Sequence, residues 1–243
     1  MPDGNTGIGA AVKRKEDGRF LTGKGRFTDD INRPNQTFAY FLRSSVAHAN
    51  IKSLDTSTAL TAEGVVAVYT NGDMEGVGGV PCGWGLTFQN GDPMVEPAHP
   101  VLAAGKVRHV GDPIAVVIAE TKKQAKQAAA LIKIDLEDLP AVVNMTNAVE
   151  GGTLVHEEAA NNICYDWAIG DKDEVDKVFD GADHVTSIEI INNRLIPNAI
   201  EPRVAIGDYD AVSQKYTLYT TTQSPHVIRL LMGAFVLTLG KQL

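Results

Sequence analysis

The chain has 243 residues, of which 44% are hydrophobic and 21% are charged, and its formal net charge is −8 at pH 7. This composition is typical of a globular protein with one large domain or two small ones. The acidic balance argues against nucleic acid as a partner. The longest apolar runs are too short to span a bilayer, and the N-terminus lacks the features of a secretory signal. We therefore expect a cytoplasmic protein with no membrane span.

Hydrophobic periodicity and turn signals predict strands and helices through the first part of the chain. The first part is predicted as a polar extended arm over residues 1 to about 36, a strand over 38–45 with its neighbouring strand over 49–55, a short helix over 56–63 ended by Gly64, and a strand over 65–70. A long loop then runs from 71 to about 102. After it we predict a turn over 106–113, a buried strand over 114–120, a helix from 122 to about 131 capped by Thr121, and a half-solvated strand over 132–137. The loop is rich in glycine and proline, and loops of this length are usually functional, packed on a partner or mobile.

A shift toward Gly, Asn, Asp and Glu between residues 144 and 173 predicts a connecting segment. A second region follows, with a short helix over 174–179 and strands around 184–192 and 203–209. It ends with a β-branched and aromatic run over 216–222 that stops at Gln223.

The residues after Gln223 predict a sharp switch from strand to helix. Ser224 is placed to cap the helix, and Pro225 fits its first turn. A corner of this kind holds a side chain rigidly, so Gln223 is a candidate for facing a cofactor.

Other candidate sites have simpler interpretations. The glycine pairs at 7–9 and 23–25, and the glycine-rich stretch 76–85, lack the strand, glycine turn and helix of a dinucleotide site. Cys82 and Cys164 are far apart in sequence, so we predict reduced thiols and no zinc or iron–sulfur site made by this chain alone.

Three polar residues in the second region are further candidates for a functional role. Ser224 lacks the context of a nucleophile elbow, and capping accounts for it. His226 is more simply a surface or packing residue of the terminal helix. Glu201, held extended by Pro202, is either buried and hydrogen-bonded or solvated.

Five ordered segments resemble the molybdenum-binding large subunits of the xanthine dehydrogenase family, and in particular the aerobic carbon monoxide dehydrogenase branch. They are R-K-E-D-G-R-F-L-T-G-K-G-R-F-T-D-D-I over 14–31, R-S-S-V-A-H-A over 43–49, V-G-D-P-I-A-V-V-I-A-E over 110–120, N-R-L and I-E-P-R within 193–203, and T-Q-S-P-H over 222–226. The resemblance covers residues 8 to 237. It implies an α+β fold with an N-terminal arm over 1–20, an α/β hammerhead domain over 21–145, a connecting segment over 146–172 and the start of a molybdopterin-binding domain over 173–243.

The resemblance implies that the complete enzyme is a molybdenum hydroxylase, an oxidoreductase that adds water-derived oxygen to a small substrate. It implies a molybdenum–molybdopterin cofactor in the cytosine dinucleotide form. It also implies an iron–sulfur small subunit and an FAD-binding medium subunit, which take up the electrons. Gln223 aligns with the glutamine that hydrogen-bonds a metal oxo ligand in the family, which makes it the implied catalytic and cofactor-binding residue. An amide can donate to an oxo group without adding charge.

The sequence departs from the family after residue 237. The Gly-Gly-Gly-Phe-Gly motif, the substrate loop and the catalytic glutamate of the family are absent, which suggests a truncated chain that is inactive without the remainder of the large subunit. Two alternatives stay open: a non-catalytic assembly or interaction module, and one half of a split large subunit. We also expect Val227, Ile228, Leu231 and Phe235 to be exposed and to promote self-association.

Overall fold

The computed structural model describes residues 8–77, 79–82 and 84–239, with side chains of the last helix described as far as Ala234. The first seven residues of the predicted arm, Gly78 and Gly83 of the glycine-rich stretch, and the side chain of Phe235 lie outside this part. The chain divides into two compact units. The smaller unit comprises residues 1–35 and 191–228, and the larger comprises 36–190 and 229–243.

The described elements mix helices and antiparallel strands, which confirms the predicted α+β class. In chain order they are α1 (Asp17–Leu21), β1 (Phe38–Arg43), β2 (Ala49–Asp55), α2 (Ser57–Leu60), β3 (Val65–Thr70), β4 (Lys106–Val107), β5 (Pro113–Ala119), α3 (Lys122–Ala129), β6 (Lys133–Asp138), α4 (Met145–Ala148), α5 (Lys172–Asp180), β7 (Ala205–Asp210), β8 (Lys215–Thr220) and α6 (Pro225–Leu239), with 3₁₀ turns at Thr28–Asp30, Asn71–Met74 and Ala160–Asn162.

The core of the larger unit is built around β5. This strand lies between β1 and β3 in an antiparallel sheet and pairs with both along most of its length. Its run of apolar residues is buried on both faces, with Ile114 and Val117 almost fully enclosed, as expected for a continuous rather than an alternating apolar strand.

Helix α3 packs on this sheet through three buried alanines, Ala125, Ala128 and Ala129. The Thr121 hydroxyl accepts the Gln124 N–H at 3.2 Å, which confirms the predicted cap. The small side chains on the buried face allow the helix to lie close to the strands.

A second sheet has the order β4-β2-β6, and this arrangement corrects the predicted pairing of β1 with β2. Four residues separate the turn at Ser44 from the start of β2, and Ser44 ties the end of β1 to the loop before β5 instead. Its N–H donates to Asp112 O at 2.9 Å, and Gly111 N–H donates to Ser44 O at 2.8 Å. The chain therefore leaves the first sheet, and β2 pairs with β6.

Several boundaries also differ from the predictions. The arm contains the short helix α1, and the predicted turn over 106–113 begins with the strand β4. Helix α2 ends at Leu60, so Gly64 is not its cap. Gly64 has a φ of 73° in the turn that leads into β3, a conformation that suits glycine.

The predicted strand around 184–192 is wrong. In the described part of the chain this stretch pairs with no strand, and Ile188, Ile190 and Ile191 are each at least 74% exposed. The apolar content that suggested a strand is real, but a strand also requires a hydrogen-bonding partner.

The smaller unit centres on the antiparallel hairpin of β7 and β8, which pair over six residues. The Tyr209 and Tyr216 rings contact each other across the hairpin, with centroids 4.5 Å apart and ring planes tilted by 31°. Among the described residues, no helix has both the length and the apolar character needed to cross a membrane.

Candidate functional site

The backbone around Gln223 forms the predicted strand-to-helix corner. Strand β8 ends at Thr220 and α6 begins at Pro225. The Ile228 N–H donates to Ser224 O at 3.0 Å, so Ser224 occupies the N-cap position and Pro225 the first helical position, as predicted.

Hydrogen bonds hold the backbone on both sides of Gln223. On the strand side, Thr221 N–H donates to Val204 O at 3.3 Å. On the helix side, Ser224 N–H donates to the Thr222 hydroxyl at 3.1 Å. The Gln223 side chain between them is exposed, so its amide is available to a ligand while its backbone is fixed.

The hairpin that leads to Gln223 is supported by the segment 28–33 of the same unit. The Arg33 guanidinium pairs with Asp208 on β7 at 2.6 Å and lies 5.9 Å from the ring centroid of Tyr219 on β8. Cation–π and ion-pair contacts of this kind are individually modest. Together they connect the N-terminal segment to both strands of the hairpin.

Glu201 is half-buried and hydrogen-bonded, which decides between the two predicted alternatives. Its Oε1 accepts the Thr28 N–H at 3.2 Å and the Thr28 hydroxyl at 3.4 Å. Glu201 thus receives two donors from the residue that begins a 3₁₀ turn. His226 is exposed, in agreement with its interpretation as a helix-surface residue.

The corner suits an electron-rich or anionic group. The Gln223 amide can donate without contributing charge, and the first turn of the 15-residue helix α6 carries no acidic residue. The positive end of the helix dipole therefore lies at this point without a carboxylate in the first turn. The oxo group and the phosphate of a molybdenum–pterin cofactor fit such a donor set.

The described residues provide no direct metal ligands here. Nowhere in the described part of the chain do three or more His, Cys, Asp or Glu side chains come together in a way that could hold a metal ion. Both cysteines are free, with Cys82 exposed and Cys164 partly buried.

The apolar residues of α6 are less uniformly exposed than expected. Val227 is 54% exposed, whereas Ile228 and Leu231 are half-buried. The prediction was wrong for these two residues, although Leu230 is 72% exposed. Self-association therefore remains a prediction.

Sequence reasoning missed a cleft in the larger unit. Its walls come from three segments that are distant in sequence: the loop over 97–103, β4 with the turn that follows it, and the stretch from His156 to Cys164. The histidines that meet there, His99, His109 and His156, have no motif spacing, so no local signal could have revealed the cleft.

Comparison with known families decides the relationship. The family model described as "Aldehyde oxidase and xanthine dehydrogenase, a/b hammerhead domain" matches residues 22–140, and the model described as "Molybdopterin cofactor-binding domain" matches residues 155–241. The chain belongs to the xanthine dehydrogenase family. Its fold is accordingly a hammerhead domain followed by the beginning of a molybdopterin-binding domain, as the sequence resemblance implied.

Individual relatives agree with this assignment. The chain is 34% identical to the nicotine 6-hydroxylase large subunit of Paenarthrobacter nicotinovorans over 94% of its own length and 28% of the relative's. It is 33% identical to the carbon monoxide dehydrogenase large chain of Afipia carboxidovorans, over 93% of its own length and 29% of that chain.

A solved structure shows the same relationship in three dimensions. The crystal structure of quinoline 2-oxidoreductase from Pseudomonas putida 86 superposes with a TM-score of 0.80 at 31% identity, and the match covers 92% of this chain and 28% of that one. The chain therefore spans less than a third of the length of these family members.

Proposed function

We propose that this chain supplies the hammerhead domain and one wall of the cofactor site to the large subunit of a molybdenum hydroxylase. The observation that carries the proposal is the corner at Gln223, where an exposed amide stands on a backbone fixed by hydrogen bonds on both sides. Membership of the xanthine dehydrogenase family supports the assignment of the ligand.

In this proposal the Gln223 side-chain N–H donates a hydrogen bond to the oxo group of the cofactor. When bound, the molybdenum–molybdopterin cofactor supplies two-electron oxidation and the transfer of a water-derived oxygen to the substrate. Gln223 would orient the cofactor without adding charge. Arg33 would fix the hairpin from which Gln223 projects, and Glu201 would hold the 3₁₀ turn that begins at Thr28.

The proposal includes finer features that follow the family. They are the cytosine dinucleotide form of the cofactor, an iron–sulfur small subunit and an FAD-binding medium subunit as partners, and a cytoplasmic location. Because the corner presents one amide that is open to solvent, we also propose that the chain alone neither retains molybdenum nor catalyses oxidation. The substrates named for the relatives differ, so we assign none to this chain.

The experiment is to express the tagged chain in its native host and isolate both the free chain and any complex it enters. Molybdenum is measured by mass spectrometry, and flavin by fluorescence after denaturation. We expect molybdenum and flavin in the complex and neither in the free chain. Near-stoichiometric molybdenum in the free chain would contradict the proposed dependence on other components.

The role of Gln223 is tested by Gln223→Asn, which keeps the amide but shortens its reach by one methylene. Gln214→Asn is the matched control, because Gln214 lies in the turn between β7 and β8 with a φ of 53°, a conformation that asparagine tolerates. We expect Gln223→Asn alone to alter the molybdenum electron paramagnetic resonance signal of the complex. Identical spectra for the two variants would remove Gln223 from the cofactor site.

One alternative has support from the comparisons. The chain spans less than a third of these two large subunits. If it is one half of a split large subunit, the complex will contain a second polypeptide that matches the rest of them. A complex with flavin and iron–sulfur subunits but no such polypeptide would favour the non-catalytic assembly module instead.

A further inference from the structure

The cleft in the larger unit has the size of a small-molecule site. Its volume is about 360 Å³, near the lower end of the range for ligand pockets. The segments that form it are tied together: Val95 N–H donates to Cys164 O at 2.8 Å, and Arg108 Nε donates to Val155 O at 3.0 Å. Its walls are therefore held in place across about 60 residues of sequence, from Pro97 to His156.

One side of the cleft is apolar and the other is cationic. Pro97, Ala98, Pro100 and Ala103 provide the carbon surface. Lys106 and Arg108 face the same space, and their side chains are only 18% and 21% exposed. Long cationic side chains are rarely withdrawn from solvent to this extent unless an anion balances them.

The anion that balances them now is Glu157, which approaches from the solvent side. It pairs with Lys106, and its Oε2 is 3.9 Å from Arg108 Nη2. The Glu157 side chain is 62% exposed, so another carboxylate can replace it without leaving it buried and unpaired. Asp112 does not compete for the cations in the same way, because its carboxylate accepts the Arg108 backbone N–H at 2.9 Å.

The charge of the cleft depends on pH through His156. Burial lowers the pKa of His156, and the charges of Arg108 and His99 lower it further, while Glu157 and Glu158 act in the opposite direction. His109 lies on the other side, 3.8 Å from Asp112. An anion bound beside His156 would favour the protonated form of this imidazole, so by linkage it would bind more tightly at lower pH.

We propose that this cleft binds a small organic carboxylate, with its carboxylate group at Lys106 and Arg108 and its apolar body against Pro97 and Pro100. A metal ion does not suit a cleft lined by two permanent cations. A bare inorganic anion would leave the proline and alanine surface without a contact. The inference rests on residues of the larger unit alone and is independent of the proposed role of Gln223.

The test uses the full chain and three probes: benzoate, benzamide and inorganic phosphate. Binding is measured by isothermal titration calorimetry at pH 5.5 and pH 8.0. We expect benzoate to bind, and to bind more tightly at pH 5.5 than at pH 8.0, because a bound carboxylate favours the protonated form of His156. Benzamide has the same shape without the charge, and phosphate has the charge without the apolar body, so both should bind at least about tenfold more weakly.

Lys106→Gln tests whether benzoate binds in the cleft rather than at another cationic site. We expect it to weaken benzoate binding by about tenfold or more. The matched control is Lys52→Gln, since Lys52 also pairs with a glutamate, Glu137 at 3.4 Å, but does not line the cleft. This control should bind benzoate as the unaltered chain does.

Three results would overturn the proposal: benzamide or phosphate binding as tightly as benzoate, binding that does not change with pH, or equal effects of Lys106→Gln and Lys52→Gln. Circular dichroism establishes whether each variant is folded. If Lys106→Gln is not folded, the three probes and the pH comparison decide the question on the unaltered chain.

Discussion

Asn162 organises the stretch that carries His156, and its removal should be among the most destabilising single changes in the larger unit. Its side chain makes three hydrogen bonds. Oδ1 accepts the Val155 N–H at 2.8 Å, and Nδ2 donates to Ala148 O at 2.9 Å and to Thr153 O at 2.8 Å. The partly buried backbone groups around it therefore depend on one side chain for their hydrogen bonds.

The neighbouring Asn161 provides a matched control. Asn161 and Asn162 have nearly the same left-handed backbone, with φ values of 55° and 56°. Alanine tolerates this conformation less well than asparagine, at a cost of about 1 kcal/mol in either position. Within the described part of the chain, the three hydrogen bonds belong to Asn162 alone, so the difference between the two alanine variants isolates their contribution.

The expected magnitude follows from this comparison. At about 1 kcal/mol for each hydrogen bond, Asn162→Ala should lower the free energy of unfolding by about 3 kcal/mol more than Asn161→Ala. With a urea dependence of about 2 kcal/mol per molar, the unfolding midpoints should differ by about 1.5 M. Both tryptophans of the chain, Trp84 and Trp167, belong to the larger unit, so their fluorescence reports its unfolding.

Urea midpoints within about 0.3 M of each other for the two alanine variants would show that the three hydrogen bonds of Asn162 contribute little to stability. Asn162→Asp gives a second check, because a carboxylate retains the acceptor for Val155 and loses both donors. That variant should be at least as unstable as Asn162→Ala, since its oxygen would face two carbonyl groups.

Three further predictions concern single contacts. Lys106 lowers the pKa of Glu157 to about 2 through a side-chain hydrogen bond, so the stabilisation from Glu157 is present above pH 4.5 and is lost as the pH falls toward 2. Glu157→Gln should therefore reduce the fall of the urea unfolding midpoint between these pH values, and an unchanged pH dependence of the midpoint would contradict this. Thr121→Ala should lower the free energy of unfolding by about 1 kcal/mol while Thr121→Ser has little effect, and equal loss in both would exclude the cap as the cause. Gly64→Ala places a Cβ 2.1 Å from Gln124 Nε2 at a φ of 73°, so it should lower the melting temperature. Adding Gln124→Ala to the same chain removes the clash but leaves the backbone strain, so the double variant should recover part of the lost melting temperature.

Local patterns were sufficient for the elements whose character is local. Strand β3 and strand β2 have the predicted bounds, because β-branched or alternating residues lie between clear turn signals. The cap at Thr121 was also predictable, since its hydrogen bond closes within three residues. These features depend on neighbours in sequence, which a sequence displays directly.

Features that depend on distant residues were not predictable in the same way. The pairing of β2 with β6 joins residues 78 to 89 positions apart, as in Asn50 opposite Glu137, and nothing in β2 itself indicates that partner. The cleft likewise gathers its walls from three separated segments. The corner at Gln223 was predictable as a shape, whereas the ligand proposed for it comes from the resemblance to a family rather than from the pattern.

The position of β5 in its sheet has a consequence for synthesis of the chain. Both β1 and β3 pair with β5, so neither gains its partner until residue 119 has left the ribosome. At about 5–20 residues per second, the 49 positions from Thr70 to Ala119 take about 2–10 s to add. During that interval the nascent Val65–Thr70 segment is an unpaired, β-branched strand. An unpaired strand of this kind can pair with another chain, so the order of strands along the sequence exposes this segment to aggregation before its partner is made.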